Sequence, residues 1–150
     1  MVKHFELTDE TVDVYGHTLF RIRALRDLPH HGVKTGDYGG FVESEKNLSG
    51  DAWVTDNARV FENAEVFGNA LVSDNAEVYG RAWVSDDAHV FGKARVFDEA
   101  LVYDNASVYG NAEVFGNARV FDQAQVFDDA HVFGNRDVSG TMEVFNMWVS

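Results

Sequence analysis

A six-residue period governs most of this chain, between Asp51 and Asn146. Valine occupies every sixth position from Val54 to Val144, and an alanine lies two positions before each valine from Ala52 to Ala130. An aromatic residue usually follows the valine, and Gly or Asp, then usually Asn or Asp, completes the unit. A fixed short period is typical of solenoids, in which each repeat packs against its neighbours.

The alternation within the unit predicts a short β-strand followed by a corner. Alanine and valine lie two positions apart, so on an extended segment their side chains share one face, while the residue between them and the following aromatic face the other way. Gly, Asp and Asn tolerate left-handed backbone angles and are typical of turns. A six-residue period does not fit the 3.6-residue turn of an α-helix. Coiling the chain would bury the valine and alanine face.

The spacing resembles the hexapeptide repeat of left-handed parallel β-helices, which places a small residue four positions after an aliphatic one. Val54 is followed in this way by Ala58, and the pattern continues to Val126 and Ala130. The resemblance implies an all-β fold, a left-handed parallel β-helix with three hexads per coil and about six triangular coils. The left-handed crossover is implied by the resemblance alone.

Residues 1–35 lack the repeat and are predicted to form an N-terminal capping segment for the hexapeptide-repeat β-solenoid of residues 36–150. Phe5 to Leu7 alternates like a strand, and Thr11 to Ala24 reads as a β-hairpin that turns at Tyr15 to His17. A solenoid needs such a cap because its first coil otherwise exposes a strand edge and an open core.

The two ends of the solenoid differ in composition. The glycine-rich stretch 36–40 predicts a tight start to the first coil. At the other end Arg136 and Met142 replace the alanine, and Met147 and Trp148 follow. These larger side chains are predicted to plug the last coil.

The formal net charge of −13 is confined to the solenoid, since residues 1–35 carry five acidic and five basic side chains. A negative rod repels nucleic acid and acidic membrane surfaces, so we expect neither as a direct partner. A protein partner with a basic surface would suit it, although the charge also serves solubility. The absence of cysteine excludes disulfides and fits the cytoplasm. We expect no cofactor.

A second resemblance lies before and at the start of the repeat. The stretches 19–25, LFRIRAL, and 36–49, GDYGGFVESEKNLS, look like the opening segment of phage- and prophage-borne hexapeptide-repeat proteins. They are similar, more loosely, to bacterial YdcK-like proteins described as transferases. The resemblance implies a phage or bacterial origin and location in the cytoplasm of a bacterial host cell. The function of such proteins is poorly defined. Our own hypothesis is an accessory factor that blocks a host protein, for example one that binds nucleic acid.

Many hexapeptide-repeat proteins are acyltransferases, so catalysis is an alternative function. Those enzymes add a catalytic histidine, commonly an inserted loop and commonly a C-terminal helix. Only His89 and His131 lie on the coils here, and the hexads run without interruption. Catalysis needs a cleft and positioned partners, so we expect a non-enzymatic protein. The four N-terminal histidines have no metal-ligand spacing of a known type, and no metal site is predicted.

Positions eighteen apart stack on successive coils, which arranges the aromatic residues in columns. One column is unbroken and faces outward, which predicts the interface of a homo-oligomer, a dimer or trimer; self-stacking along the rod is the alternative. A column of alternating charge borders it. The predicted interface residues are Phe61, Tyr79, Phe97, Phe115 and Phe133, with Arg59, Glu77, Arg95, Glu113 and His131. Of the two other aromatic columns, one begins with Thr55 and Ser73, and the other is interrupted by Ser85 and Ser139.

One further alternative concerns the N-terminal segment. Arg21, Arg23 and Arg26 lie close together in sequence and form a candidate anion-binding site. An oligomer could use these arginines to sequester a small anionic ligand.

Overall fold

The structure, a computed structural model, describes residues 3–150 and is built almost entirely of β-strands. Two short 3-10 helices, Pro29–His31 and Glu45–Asn47, interrupt the N-terminal part. The strands are β1 (Phe5–Val14), β2 (His17–Ala24), β3 (Tyr38–Val42), β4 (Trp53–Val54), β5 (Arg59–Val60), β6 (Glu65–Val66), β7 (Leu71–Val72), β8 (Glu77–Val78), β9 (Trp83–Val84), β10 (His89–Val90), β11 (Arg95–Val96), β12 (Leu101–Val102), β13 (Ser107–Val108), β14 (Glu113–Val114), β15 (Arg119–Val120), β16 (Gln125–Phe127), β17 (His131–Val132), β18 (Asp137–Val138), β19 (Glu143–Phe145) and β20 (Trp148–Val149).

Three sheets form the sides of a parallel β-solenoid of about six turns. Sheet I has the order β1-β2-β3-β5-β8-β11-β14-β17-β20, sheet II the order β4-β7-β10-β13-β16-β19, and sheet III the order β6-β9-β12-β15-β18. Consecutive short strands belong to different sheets, and each pairs with the strand eighteen residues later, as Val54 pairs with Val72. The predicted all-β solenoid with eighteen residues per turn is confirmed.

Valine and alanine fill the interior, as the alternation predicts. The repeat valines from Val54 to Val138 and every alanine from Ala52 to Ala130 are at most 1% exposed, and they form one continuous cluster. Burial of this apolar face is the main stabilising contribution to a rod that is otherwise acidic. Because each turn contacts only the turns above and below it, the stabilisation is local along the axis.

The corners adopt the left-handed conformation that their composition predicts. The Gly or Asp after the aromatic residue has positive φ, for example 57° at Asp98 and 66° at Gly116. The corner carboxylates also link successive turns. Oδ2 of Asp98 accepts a hydrogen bond of 3.1 Å from the backbone N–H of Gly116, and Oδ2 of Asp122 accepts one of 2.9 Å from that of Gly140. The predicted use of corner acids as turn residues is confirmed for these positions.

The N-terminal hairpin is longer than predicted. The alternating stretch at Phe5 and the strand beginning at Thr11 are one strand, β1, because both parts pair with β2: Phe5 lies opposite Ala24 and Val14 opposite His17. A register irregularity between Leu7 and Thr11 separates the two parts. The turn at Tyr15 and Gly16 is confirmed, and both residues have positive φ.

The N-terminal segment completes the end of the core. Phe5, Ile22 and Leu28 are buried in the same cluster as the repeat valines, and β2 pairs antiparallel with β3. The chain then approaches the first turn closely. A Cβ at Gly39 would lie 2.4 Å from the Val54 carbonyl oxygen, and one at Gly40 would lie 2.6 Å from that of Ala58. These contacts are those expected of a cap; the boundary at residue 35 stays a prediction.

The last turn departs from the repeat. β20 pairs with β17 so that Val149 lies opposite Val132, a separation of 149 − 132 = 17 residues. The preceding corner is therefore one residue shorter than the others. Met142, Met147 and Trp148 all remain exposed. The prediction that these three side chains plug the core is therefore wrong, whereas Arg136, in the alanine position, is half-buried.

Candidate functional site

The unbroken aromatic column forms a ladder of parallel rings along the edge of sheet I. We call Phe61, Tyr79, Phe97, Phe115 and Phe133 the aromatic ladder. Its successive ring centroids are 5.0, 5.1, 4.9 and 5.2 Å apart, and the ring planes differ by 10° or less. Each ring follows the valine of a sheet I strand, so the spacing of about 4.8 Å between strands sets the spacing of the rings.

The tip of the N-terminal hairpin covers the first rungs of the aromatic ladder. Phe61 is only 1% exposed and packs with Val14 and Leu19 of the hairpin. The Tyr15 ring lies 6.0 Å from the Phe61 ring and 6.1 Å from the Tyr79 ring. The prediction that Phe61 is an exposed interface residue is therefore wrong, because this chain's own hairpin occupies its outer face. The hairpin leaves Phe97, Phe115 and Phe133 open, and we call these three the uncovered rungs. The Trp148 ring meets the Phe133 ring edge-on at 5.8 Å.

Carboxylates hold the hairpin tip in place. His17 Nδ1 lies 2.8 Å from a Glu43 oxygen, and His17 Nε2 lies 3.3 Å from a Glu62 oxygen. The hydrogen bond with Glu43 raises the pKa of His17 above its usual value. The Tyr15 hydroxyl donates a hydrogen bond of 3.2 Å to Glu77. Protonation of His17 allows both ring nitrogens to donate to carboxylates at once.

The alternating charge column beside the aromatic ladder is largely neutralised within the chain. Arg59 donates to Glu77 at 3.0 Å, Arg95 donates to Glu113, and His131 Nε2 lies 3.3 Å from Glu113. Opposite charges of the alternating column therefore pair between adjacent turns. The border of the uncovered rungs consequently presents paired charges, and the rings supply the apolar surface.

The other two aromatic columns also stack. In the second column Phe91, Tyr109, Phe127 and Phe145 lie 4.7 to 5.2 Å apart. In the third, Tyr103 and Phe121 are 5.1 Å apart. Stacking alone therefore does not distinguish the first column from the other two. The first column differs from them in its greater length and in the hairpin tip that packs on its first rings.

Trp83 is an exposed aromatic residue that lies outside the predicted aromatic columns. It occupies the outward position between Ala82 and Val84, and its side chain is 46% exposed. The Phe67 ring meets the Trp83 ring edge-on at 5.7 Å. The sequence could have indicated this exposed site, because a large apolar residue stands there in an outward position of the repeat.

The three N-terminal arginines do not form an anion site. Arg21 contacts Glu10 at 2.8 Å, Arg23 donates to Glu6 at 3.0 Å, and Arg26 contacts Asp51 at 2.7 Å. Each guanidinium is thus paired with a different carboxylate of the same chain. The predicted convergence on a small anion is wrong, because these carboxylates already occupy the positions an anion would take.

His4 and His89 have separate partners, whereas the His30 and His31 ring centroids lie 5.1 Å apart. His4 bonds the Ala52 carbonyl oxygen at 2.8 Å, and burial lowers the pKa of His4. His89 Nε2 lies 3.0 Å from Ser73 Oγ, and burial lowers the pKa of His89 as well, which favours its neutral form. Within residues 3–150 no carboxylate makes a salt bridge to His89, and no group of three His, Cys, Asp or Glu side chains is placed to hold a metal ion.

A surface depression runs along the corner between sheets III and II. It has a volume of about 760 Å³ and is lined by corner residues that include Asp86, Asp104 and Asp122. Each of these carboxylates bonds a backbone N–H one turn further on, at 3.2, 3.1 and 2.9 Å respectively. The acids along this groove therefore contribute to the stacking of the turns.

The fold and these surfaces define the class of the molecule as a parallel β-solenoid built from six-residue units, with an outward aromatic ladder. In comparisons with known proteins, no family model matches the chain and no curated protein matches it. Within residues 3–150 no helix is long and apolar enough to cross a membrane.

Proposed function

We propose that this chain is a non-enzymatic binding protein that self-associates through the uncovered rungs of the aromatic ladder. The observation that carries the proposal is the row of Phe97, Phe115 and Phe133, half-buried, aligned within 10° and bordered by neutralised charges. Contiguous outward aromatic surface of this kind usually marks an interface. A dimer or trimer would cover the ring edges that stacking leaves open.

The hairpin supports this assignment. It already packs Val14, Tyr15 and Leu19 against the first two rungs, so the ladder is a surface that apolar side chains of another segment can cover. A second protein molecule would make the same kind of contact with the remaining rungs. Energy in such interfaces concentrates in central aromatic residues, which here are Phe97 and Phe115.

A second binding partner is a host protein with a basic surface. The net charge of −13 and the rod shape support it, because an acidic rod competes with nucleic acid for a basic groove. The role of a phage-type accessory factor is supported only by the resemblance of the opening segment. We expect this binding to weaken as salt is raised, which a pull-down at low and high salt measures.

The test of the ladder is the double variant Phe97→Asp, Phe115→Asp. Two charges placed against an apolar partner surface are costly to bury, so the assembly should dissociate to a smaller species in light scattering. The core is untouched, so the circular dichroism spectrum should not change. The matched control is Phe91→Asp, Phe127→Asp, which makes the same replacements in the same position of the repeat in the second column.

Two results would contradict the ladder assignment. One is a wild-type protein that is already monomeric at tens of micromolar, a range in which oligomers of functional affinity are assembled. The other is an equal loss of mass in the ladder variant and in the control. In either case the stacked rings would serve the stability of the rod.

A further inference from the structure

The outward face of sheet III carries a column of side chains unlike that of sheet I. One side chain from each strand points outward, and the strands pair in register, so the five stack in order along the rod. From the N-terminal end these residues, which we call the sheet III column, are Glu65, Trp83, Leu101, Arg119 and Asp137.

The centre of the sheet III column is apolar and accessible. Trp83 and Leu101 are register partners, and the Trp83 side chain is 46% exposed. Phe67 and Tyr103 lie in the neighbouring aromatic column and are partly exposed. Glu65 lies one strand before this apolar centre, and Arg119 lies one strand after it. An aromatic anchor with charges at its margins is the usual anatomy of a protein interface.

The geometry points to a dimer in which two copies pack sheet III against sheet III with their rods antiparallel. A two-fold axis parallel to the strands, passing between Trp83 and Leu101, reverses the order of the column. Trp83 then faces Leu101 of the second copy, and Glu65 faces Arg119 of the second copy. Symmetry repeats each contact, so two Glu–Arg pairs flank two Trp–Leu contacts.

The charges favour this arrangement over the alternative two-fold arrangement. If the rods were parallel, the axis would run along the rod and every strand would face itself. Glu65 would then oppose Glu65 and Arg119 would oppose Arg119, and like charges placed directly opposite are destabilising. The antiparallel arrangement replaces both repulsive pairs with attractive ones.

Glu65 is also available for a contact outside its own chain. Among residues 3–150 it forms no salt bridge, whereas Arg59, Glu77, Arg95 and Glu113 of sheet I are paired within the chain. Arg119 contacts both oxygens of Asp137, at 2.9 and 2.8 Å. A guanidinium has five N–H donors. Arg119 can therefore keep its hydrogen bonds to Asp137 and also donate to Glu65 of the second copy.

The area of the outward face of sheet III indicates which class of interface to expect. Four strands face one another across this axis, and at about 4.8 Å between strands and about 17 Å of width they give ~330 Å² per copy. Standard interfaces bury about 800 Å² per partner. An interface this small belongs to the weak, transient class, so mass should be measured across the whole micromolar range. This surface is separate from the aromatic ladder, so the inference does not depend on the proposed function.

Complementary charge reversal tests the arrangement. The variants Glu65→Arg and Arg119→Glu are each made in the Phe97→Asp, Phe115→Asp background, which removes association through the ladder. Each variant alone should be monomeric, with a mass of 16.8 kDa, because the symmetric pairs become Arg–Arg or Glu–Glu. Their equimolar mixture should dimerise, because both contacts between the two different chains are again Glu–Arg.

The matched control is Glu143→Arg, which makes the same charge change in the outward position of β19, on sheet II. It should leave the dimer of the background protein intact. Circular dichroism confirms that each variant is folded. A background protein that is monomeric throughout the micromolar range would overturn the proposal. So would single variants that stay dimeric, or an equimolar mixture that stays monomeric. None of these outcomes bears on the ladder, which is tested by the Phe97 and Phe115 replacements alone.

Discussion

Asp98 has both properties of the corner residues, a left-handed backbone and a carboxylate that bonds the next turn. Replacing it by different residues separates the contributions of these two properties to stability. Its backbone is left-handed, with φ of 57°, and its carboxylate accepts the Gly116 N–H at 3.1 Å. Asn tolerates this backbone and keeps an acceptor oxygen. Gly tolerates the backbone without strain but has no acceptor. Ala loses the acceptor and is strained there.

The expected magnitudes follow from these differences. The Asp98 hydrogen bond is exposed to solvent, so its loss costs about 1 kcal/mol. The left-handed conformation costs an alanine about 1 kcal/mol more. We therefore expect Asp98→Asn to lie within about 0.5 kcal/mol of wild type, Asp98→Gly to lose about 1 and Asp98→Ala about 2. Gly at this corner is compatible with the stack, because Gly80 and Gly116 occupy the same position one turn before and after.

Thermal unfolding followed by circular dichroism measures this ranking. For a chain of this length 1 kcal/mol corresponds to a shift in Tm of about 2–4 °C, so Asp98→Ala should melt about 4–8 °C below wild type. The control is Glu99→Ala, at the next corner position, where the side chain is exposed and should contribute little. If Asp98→Ala and Asp98→Gly melt together, backbone strain does not matter at the corner. If Asp98→Gly matches wild type, the hydrogen bond between turns contributes nothing.

Three further predictions concern the core, the cap and the hairpin tip. Ala94→Leu should overpack the interior and cost about 1–3 kcal/mol, whereas Ser107→Leu at an outward position should be nearly neutral; equal melting temperatures would refute the inward assignment. Deletion of residues 1–35 should expose the first strand edge and produce aggregates in light scattering, and a dispersed protein with an unchanged β spectrum would contradict the capping role. His17 has a raised pKa, so its stabilising contact with Glu43 is fully present below pH 6.5 and is lost as the pH rises through the raised value. The difference in Tm between wild type and His17→Gln should therefore shrink as the pH rises, and a difference that grows would reverse the assignment.

The solenoid was predictable because every hexad repeats the same pattern of inward, outward and corner residues. The inward position of Val96 and Ala94, the left-handed corner at Asp98 and the stacking of Phe97 on Phe115 all follow from a spacing of six or eighteen residues. A hexad that departs from the pattern can still be assigned from the positions of the hexads on either side. The aromatic ladder could be traced from the sequence for the same reason.

The failures lie where the chain leaves the repeat. Nothing in the spacing relates Tyr15 to Phe61, so the hairpin that covers the first rungs could not be predicted. The arginines of β2 pair with Glu6 and Glu10 across the hairpin, and this pairing depended on a strand whose full length the sequence did not indicate. The shortened corner at Asn146 interrupts the register after the last repeat valine.

The register of eighteen residues gives the inside and the outside of this rod different tolerances to insertion. An inserted hexad would preserve every inward valine and alanine downstream, so the core would still close. It would also move every later outward residue to the next side, separating Phe115 from Phe97 and Arg119 from the side that carries Glu65. Only insertions or deletions of eighteen residues, or of a multiple of eighteen, keep both. Chains of this kind can therefore lose or exchange outward surfaces through length changes that leave the fold intact, without a single substitution.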